Sequence, residues 1–121
     1  MILLGEVKIV NKNKIFGNQS EELAVKYLEK NGFLIIDRNF YASRLGEIDI
    51  IAKKNDILHF IEVKSSRKNF EPIYNITPTK LNKLIKSANY YLKQKKLDFA
   101  WCIDALVIKN GKIELIENIT I

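Results

Sequence analysis

Two short runs bring acids and a lysine together: Gly46-Glu47-Ile48-Asp49-Ile50 and Ile61-Glu62-Val63-Lys64. Each alternates a charged residue with an aliphatic one, the period of a half-buried strand. Between the strands expected at Glu47–Ala52 and Ile57–Lys64, the segment Lys53-Lys54-Asn55-Asp56 is polar and ends in turn formers, so a tight hairpin is the economical reading. With Asn55-Asp56 as a two-residue loop, Asp49 falls opposite Glu62, Glu47 opposite Lys64 and Ile51 opposite Phe60, all on one face. Ile48, Ile50, Ile61 and Val63 are then expected on the other.

Two carboxylates ~5 Å apart repel by roughly 3 kcal/mol at an effective dielectric near 20, and by under about 1 kcal/mol in bulk water. In a cleft such a pair destabilises the metal-free fold, and it becomes favourable when a divalent cation sits between them. Oxygen donors without a neighbouring His or Cys suit a hard ion, Mg²⁺ or Mn²⁺. Lys64, two residues after Glu62, projects to the same side. Metal ligands beside an ammonium are the equipment for binding a phosphodiester, activating water and stabilising charge that develops on phosphorus. Glu47 has a plainer role available, as the cross-strand partner of Lys64. Glu21 lies one and two helical turns before Ala24 and Leu28 and so points with a packed face. It is either a further site acid or the reciprocal half of a capping box with Asn18.

The elements that must position these residues follow from local signals. A helix is expected from about Ser20 to Asn31, with Leu23, Ala24, Tyr27 and Leu28 inward and Gly32 as its stop. Phe33 to about Phe40 reads as the first strand. Thr77-Pro78 reads as an N-cap and first helical residue, opening a helix to about Lys95 with Leu81, Leu84, Ile85, Ala88, Tyr91 and Leu92 on its core side. Strands Phe99–Ile108 and Lys112–Ile119 meet across Asn110-Gly111, a type I′ hairpin signal. The fold class is therefore α/β, order αβββαβ plus a final strand, a mixed sheet flanked by helices. Residues 1–121 are read as one nuclease-like domain, with 1–16 as an N-terminal extension to which no structure is assigned. Within the strands, His59 faces away from Phe60 and reads as a surface or partly buried histidine without a Cys or second His for company. Cys102 and Trp101 read as core, and Asp104, an acid in an apolar strand, needs a partner.

Composition sets the outer limits. The chain has 121 residues, 47% hydrophobic, with five Gly and two Pro, which excludes a disordered tail or a collagen-like or mucin-like stalk. A domain of this size buries roughly two-thirds of its unfolded surface and needs no staples. One Cys permits no internal bridge. The N-terminal pattern is not that of a signal peptide and no apolar run spans a bilayer, so a soluble, cytoplasmic chain is expected. The net charge of +6 is regional: from Val63 to Leu97 nine Lys or Arg face one acid, Glu71, while the remainder is net negative. The basic stretch fits phosphate contact without base reading, with Arg67, Lys68, Lys80 and Lys83 as the candidate nucleic-acid contacts. A solvated helix face is the alternative.

With these residues in view, the sequence resembles the YraN-like family of bacterial proteins. That pattern falls within the restriction-endonuclease-like (PD-(D/E)xK) superfamily and, more distantly, is similar to archaeal Holliday-junction resolvases. The resemblance covers roughly Gly17 to the end. It includes Gly17, Glu21, Ala24 and Tyr27-Leu28, then Gly32 and Arg38-Asn39. Most specific are Gly46-Glu47-Ile48-Asp49-Ile50-Ile51-Ala52 and Phe60-Ile61-Glu62-Val63-Lys64, followed by Arg67, Lys80, Ala88, Tyr91-Leu92 and Asp104. It implies a nuclease core with Asp49 and Glu62 as metal ligands, Lys64 as the catalytic lysine and Glu21 as a helix-borne acid of the metal site. Four departures are present: Ser20 replaces a glycine, Ser66 an arginine and Cys102-Ile103 an Arg-Phe pair, and no proline precedes Asp49.

The expected function is a Mg²⁺- or Mn²⁺-dependent endonuclease-like protein hydrolysing DNA, more structure-selective than sequence-specific, with branched or junction DNA as partner and a homodimer as one route to cutting two strands. The competing reading is a non-catalytic DNA-binding or interaction module on a nuclease-like fold. The full set of polar site residues favours the enzyme, and the missing arginines favour the module.

Overall fold

The computed structural model describes residues 12–66 and 76–120. Its elements run α1 (Lys12–Lys30), β1 (Leu34–Tyr41), β2 (Glu47–Lys54), β3 (Ile57–Ser66), α2 (Pro78–Lys95), β4 (Ala100–Lys109) and β5 (Lys112–Ile116). The five strands form one sheet in the order β1-β2-β3-β4-β5, antiparallel except for the parallel β3–β4 pair. This is the expected α/β architecture of a mixed sheet flanked by helices. Arg67 and Lys68 lie outside the described residues.

Turn chemistry places the strands. Asn55 and Asp56 both have positive φ, 52° and 62°, the type I′ geometry whose twist matches two antiparallel strands. The register is the expected one, with Ile51 opposite Phe60 and Ile50 opposite Ile61. Asn110-Gly111, also with positive φ, closes β4 onto β5. Thr77 caps α2, its Oγ1 accepting the Lys80 N–H at 3.1 Å, and Pro78 occupies the first turn. At the end of α1, Gly32 adopts φ 89° and Phe33 N–H donates to Leu28 O at 2.9 Å.

Alternation along the strands divides the core. On one face Ala24, Val25 and Leu28 of α1 pack on Ile50, Ala52, Ile61, Leu106 and Ile108. On the other, Leu84, Ala88 and Tyr91 of α2 pack on Ile48, Ile51, Leu58, Phe60 and Ile103. Each fully buried aliphatic side chain contributes about 1.5–3 kcal/mol relative to exposure, so these two layers hold the helices against the sheet.

The structure corrects three expectations. Helix α1 begins at Lys12, not near Ser20, so Asn18 lies inside it rather than at its start. Leu23 is 49% exposed and Val25 takes its place in the core. Ile48 packs with Ile51 and Phe60, not with Ile50. The last change has a local cause: Asn39 of β1 adopts φ 52° between the pairs Arg38–Ile50 and Phe40–Ile48, and a left-handed residue there breaks the alternation beside Asp49.

Candidate active site

The break in alternation falls beside the candidate site residues. Below Ile50–Ile61 the ladder between β2 and β3 stops, and Oδ2 of Asp49 accepts the Val63 N–H at 2.8 Å in place of a backbone carbonyl. That bond draws the Asp49 carboxyl against Glu62, with which it shares a side-chain hydrogen bond. Burial, and then the Glu62 charge, push Asp49 up from 3.8 to about 8. The Val63 N–H opposes this by favouring the ionised form.

Glu62 is 4% exposed and faces α2. Its Oε2 receives Lys64 Nζ at 3.4 Å and Lys80 Nζ at 3.2 Å. Lys64 therefore pairs with Glu62 on its own strand, and the expected Glu47–Lys64 pair is not formed. Glu47 instead accepts a hydrogen bond from the Tyr41 hydroxyl, which raises that phenol's pKa.

Glu21 enters from α1. Ser20 next to it is buried and donates from Oγ to Ser65 Oγ at 3.0 Å, joining the helix to β3 beside Lys64. Burial raises the Glu21 carboxyl, a hydrogen bond from the Asn39 side chain lowers it, and the Glu47 charge raises it again. Its negative charge is also felt at Asp49. With α1 extending to Lys12, the capping role is removed and Glu21 stands as the helix-borne member of an acidic group with Glu47, Asp49 and Glu62. Glu22, on the solvent side, pairs with Arg38 at 2.8 Å.

Beside this group lies a cleft of about 240 Å³ lined by Arg44, Gly46, Glu47, Lys80, Lys83 and Ser87, among others. Lys80 and Lys83, two of the expected phosphate contacts, thus share a groove, with Lys80 also neutralising Glu62. Arg44 was not singled out from sequence, because the β1–β2 turn that carries it shows no spacing pattern. Asn39, present only as part of the resemblance, was given no site role because nothing local marks a left-handed residue within β1.

Asp49 and Glu62 offer only oxygen, the donor type that suits a hard divalent ion, and they lie in contact. Glu21 acts on Asp49 through its charge alone, and among the described residues these three acids do not close into one ligand group.

A second group lies on the α1 face of the sheet. His59 is 6% exposed and its Nδ1 lies 2.5 Å from Asp104 Oδ2 and 3.2 Å from Cys102 Sγ. Cys102 donates to Asp104 Oδ1 at 3.2 Å, and Asn118 N–H donates to the same oxygen at 2.9 Å. His59 therefore has the cysteine neighbour that sequence order concealed, and the buried Asp104 has its partners. Burial, followed by the charge of Asp104, pushes the Cys102 thiol up to about 12.

Fold and site together define an α/β protein whose two central strands present paired carboxylates and a lysine beside a basic cleft. The chain belongs to the uncharacterised protein family UPF0102, the YraN-like family, whose model matches residues 20–108. It is similar to a UPF0102 protein of Sulfurovum sp., 56% identical over 89% of this chain and 96% of the relative. The Wolinella succinogenes UPF0102 protein is 59% identical over 87% and 95%, and one from Helicobacter pylori strain HPAG1 is 56% identical over 91% and 95%.

Proposed function

We propose that this chain is a divalent-metal-dependent, endonuclease-like hydrolase of DNA phosphodiesters, built on the restriction-endonuclease-like plan and distantly akin to archaeal Holliday-junction resolvases. The observation that supports this reading is the contact of Asp49 with Glu62, with Lys64 Nζ 3.4 Å from the Glu62 carboxylate. Asp49 and Glu62, with Glu21 adding charge from α1, would hold Mg²⁺ or Mn²⁺. When bound, the ion supplies positive charge beside the scissile phosphate and acidifies water. Lys64 stabilises negative charge developing on the phosphoryl oxygens. Lys80, Lys83 and Arg44 neutralise neighbouring phosphates, which positions DNA without reading its bases. This favours selection by DNA structure, branched or junction forms included, and two copies acting together would cut two strands. The setting is the cytoplasm.

One observation favours the second reading, a non-catalytic DNA-binding module. Both Lys64 and Lys80 rest on the same oxygen of Glu62, so the chain partly compensates its own acids. Incubation with linear, nicked, flapped and four-way DNA in Mg²⁺, Mn²⁺ or EDTA separates the two. Metal-dependent cleavage lost in Asp49→Ala and Glu62→Ala is the expected result. Salt-sensitive binding with no cleavage of any substrate assigns the chain to the module.

A further inference from the structure

The geometry points to a second metal site, for Zn²⁺, formed by His59, Cys102 and Asp104 on the sheet face opposite Glu62. It is independent of the acidic site: His59 lies three residues before Glu62 on β3, ~10 Å along the strand, and turns to the α1 side, where its ring packs edge-on against Phe33 at 5.0 Å.

Parallel pairing of β3 with β4 creates the group. The register sets His59 directly beside Cys102, and Asp104 follows two residues later on the same face. One donor atom from each side chain lies within 4.8 Å of the others. The Sγ–Nδ1 and Sγ–Oδ1 separations, 3.2 Å each, are a few tenths of an ångström short of the edges of a tetrahedron with Zn–N and Zn–S bonds of about 2.0–2.3 Å. Asp104 meets the thiol with Oδ1 and the imidazole with Oδ2, so the carboxylate must turn to offer one oxygen and all three edges must lengthen, the 2.5 Å Nδ1–Oδ2 contact most.

Donor chemistry selects the metal. Imidazole, thiolate and carboxylate together suit a borderline ion such as Zn²⁺, whereas Mg²⁺ prefers oxygen and retains its water. The surroundings hold the ligands in place. Asn118 N–H orients the Asp104 carboxylate, and the Phe33 contact fixes the imidazole plane. Cys102 and His59 line a cavity of about 520 Å³, which Lys54, Trp101 and Glu117 also border. Three protein ligands with an open fourth position define the site, and the cavity supplies the fourth ligand as water or as the carboxylate of Glu117. Binding displaces the Cys102 proton to solvent, so affinity rises with pH. Bound there, the ion ties β3 to β4 and, through Asp104, to the segment at Asn118.

The test uses the reduced full-length protein, with Co²⁺ as a spectroscopic stand-in for Zn²⁺. A single equivalent of Co²⁺ should give a thiolate-to-metal charge-transfer band that Zn²⁺ abolishes and excess Mg²⁺ leaves unchanged. Cys102→Ser keeps a hydroxyl donor for Asp104 and should lose the band while retaining the wild-type melting temperature in EDTA. His59→Gln should weaken Zn²⁺ binding at least about tenfold. Asp49→Asn should leave the band intact, which separates this site from the acidic one. Absence of the band at millimolar Co²⁺, or equal Zn²⁺ affinity in wild type, Cys102→Ser and His59→Gln, overturns the proposal.

Discussion

Lys80, in the first turn of α2, sets its Nζ 3.2 Å from Oε2 of Glu62, a carboxylate buried on β3. A cation at a helix N-terminus opposes the helix dipole by a few tenths of a kcal/mol. The first turn of α2 carries no acid to offset it. The position makes sense through Glu62, which at 4% exposure needs counter-charge more than the helix end needs to avoid it. Lys80 thus links the helix that lines the basic cleft to the strand that carries the proposed metal ligand.

Replacing Lys80 with Met should cost about 1 kcal/mol, a modest figure because the lysine is partly exposed and screened. For a domain of this size that is ~4 °C in melting temperature. The same variant should gain more from Mn²⁺ than the wild type does, since the ion replaces the missing positive charge on Glu62. Melting curves with Mn²⁺ and with EDTA measure both effects, and an identical Mn²⁺ shift in the two proteins would show that Lys80 does not govern the site.

Stability should depend on pH through Asp49. The unfolded carboxyl loses its proton near 3.8, while the folded one keeps it to about 8. Across that window the native state binds more protons, so unfolding free energy falls as pH rises. The stabilising contribution is complete below the lower value and gone above the upper one. Melting temperature in EDTA should therefore decline between about pH 5 and pH 8, and Asp49→Asn should flatten the slope. Mn²⁺ added near pH 8 should recover the loss, because it binds the ionised folded form. An equal slope in Asp49→Asn assigns the decline to other groups.

Much of the site could be read from local signals, and the remainder depended on distant parts of the chain. The pairing of Ile51 with Phe60 followed from Asn55-Asp56 and a period of two, which specify a hairpin over a few residues. Thr77-Pro78 announced α2 in the same way. The start of α1 misled because Asn18 and Glu21 imitate a capping box, and their spacing is equally compatible with a helix interior. The side taken by Ile48 depends on the left-handed Asn39, on a different strand. The meeting of His59 with Cys102 depends on parallel strands separated by a helical crossover, where no turn sets the register.

Gly46 illustrates a backbone requirement next to the acids. Its φ is 134°, and a methyl group there would sit 3.9 Å from Ser87 Oγ, an ordinary contact. Gly46→Ala should therefore lose stability through strain alone, by about 1–3 kcal/mol. The Ala42 N–H to Gly46 O bond of 2.8 Å ties this turn together just before Glu47, so the loss should appear as a lower urea midpoint with an unchanged slope. A midpoint equal to wild type would mean that the turn relaxes at no cost.

Glu21 offers the sharpest separation between a structural and a site acid. Because α1 continues back to Lys12, no orphan N–H at a helix end depends on its carboxylate. Its neighbours are the Asn39 amide, Glu47 and, at longer range, Asp49. Glu21→Gln retains an oxygen for Asn39 while deleting a negative charge that repels Glu47 and Asp49. The metal-free variant should melt at the wild-type temperature or slightly above it. Its Mn²⁺-induced stabilisation should shrink, and DNA cleavage should fall by about 10²-fold or more, the usual scale for losing one preorganised charge at a reacting centre. A structural acid gives the opposite pattern, with a lower melting temperature in EDTA and an intact Mn²⁺ shift. Measuring both quantities on one variant therefore decides whether α1 supplies a metal ligand or only a packed face.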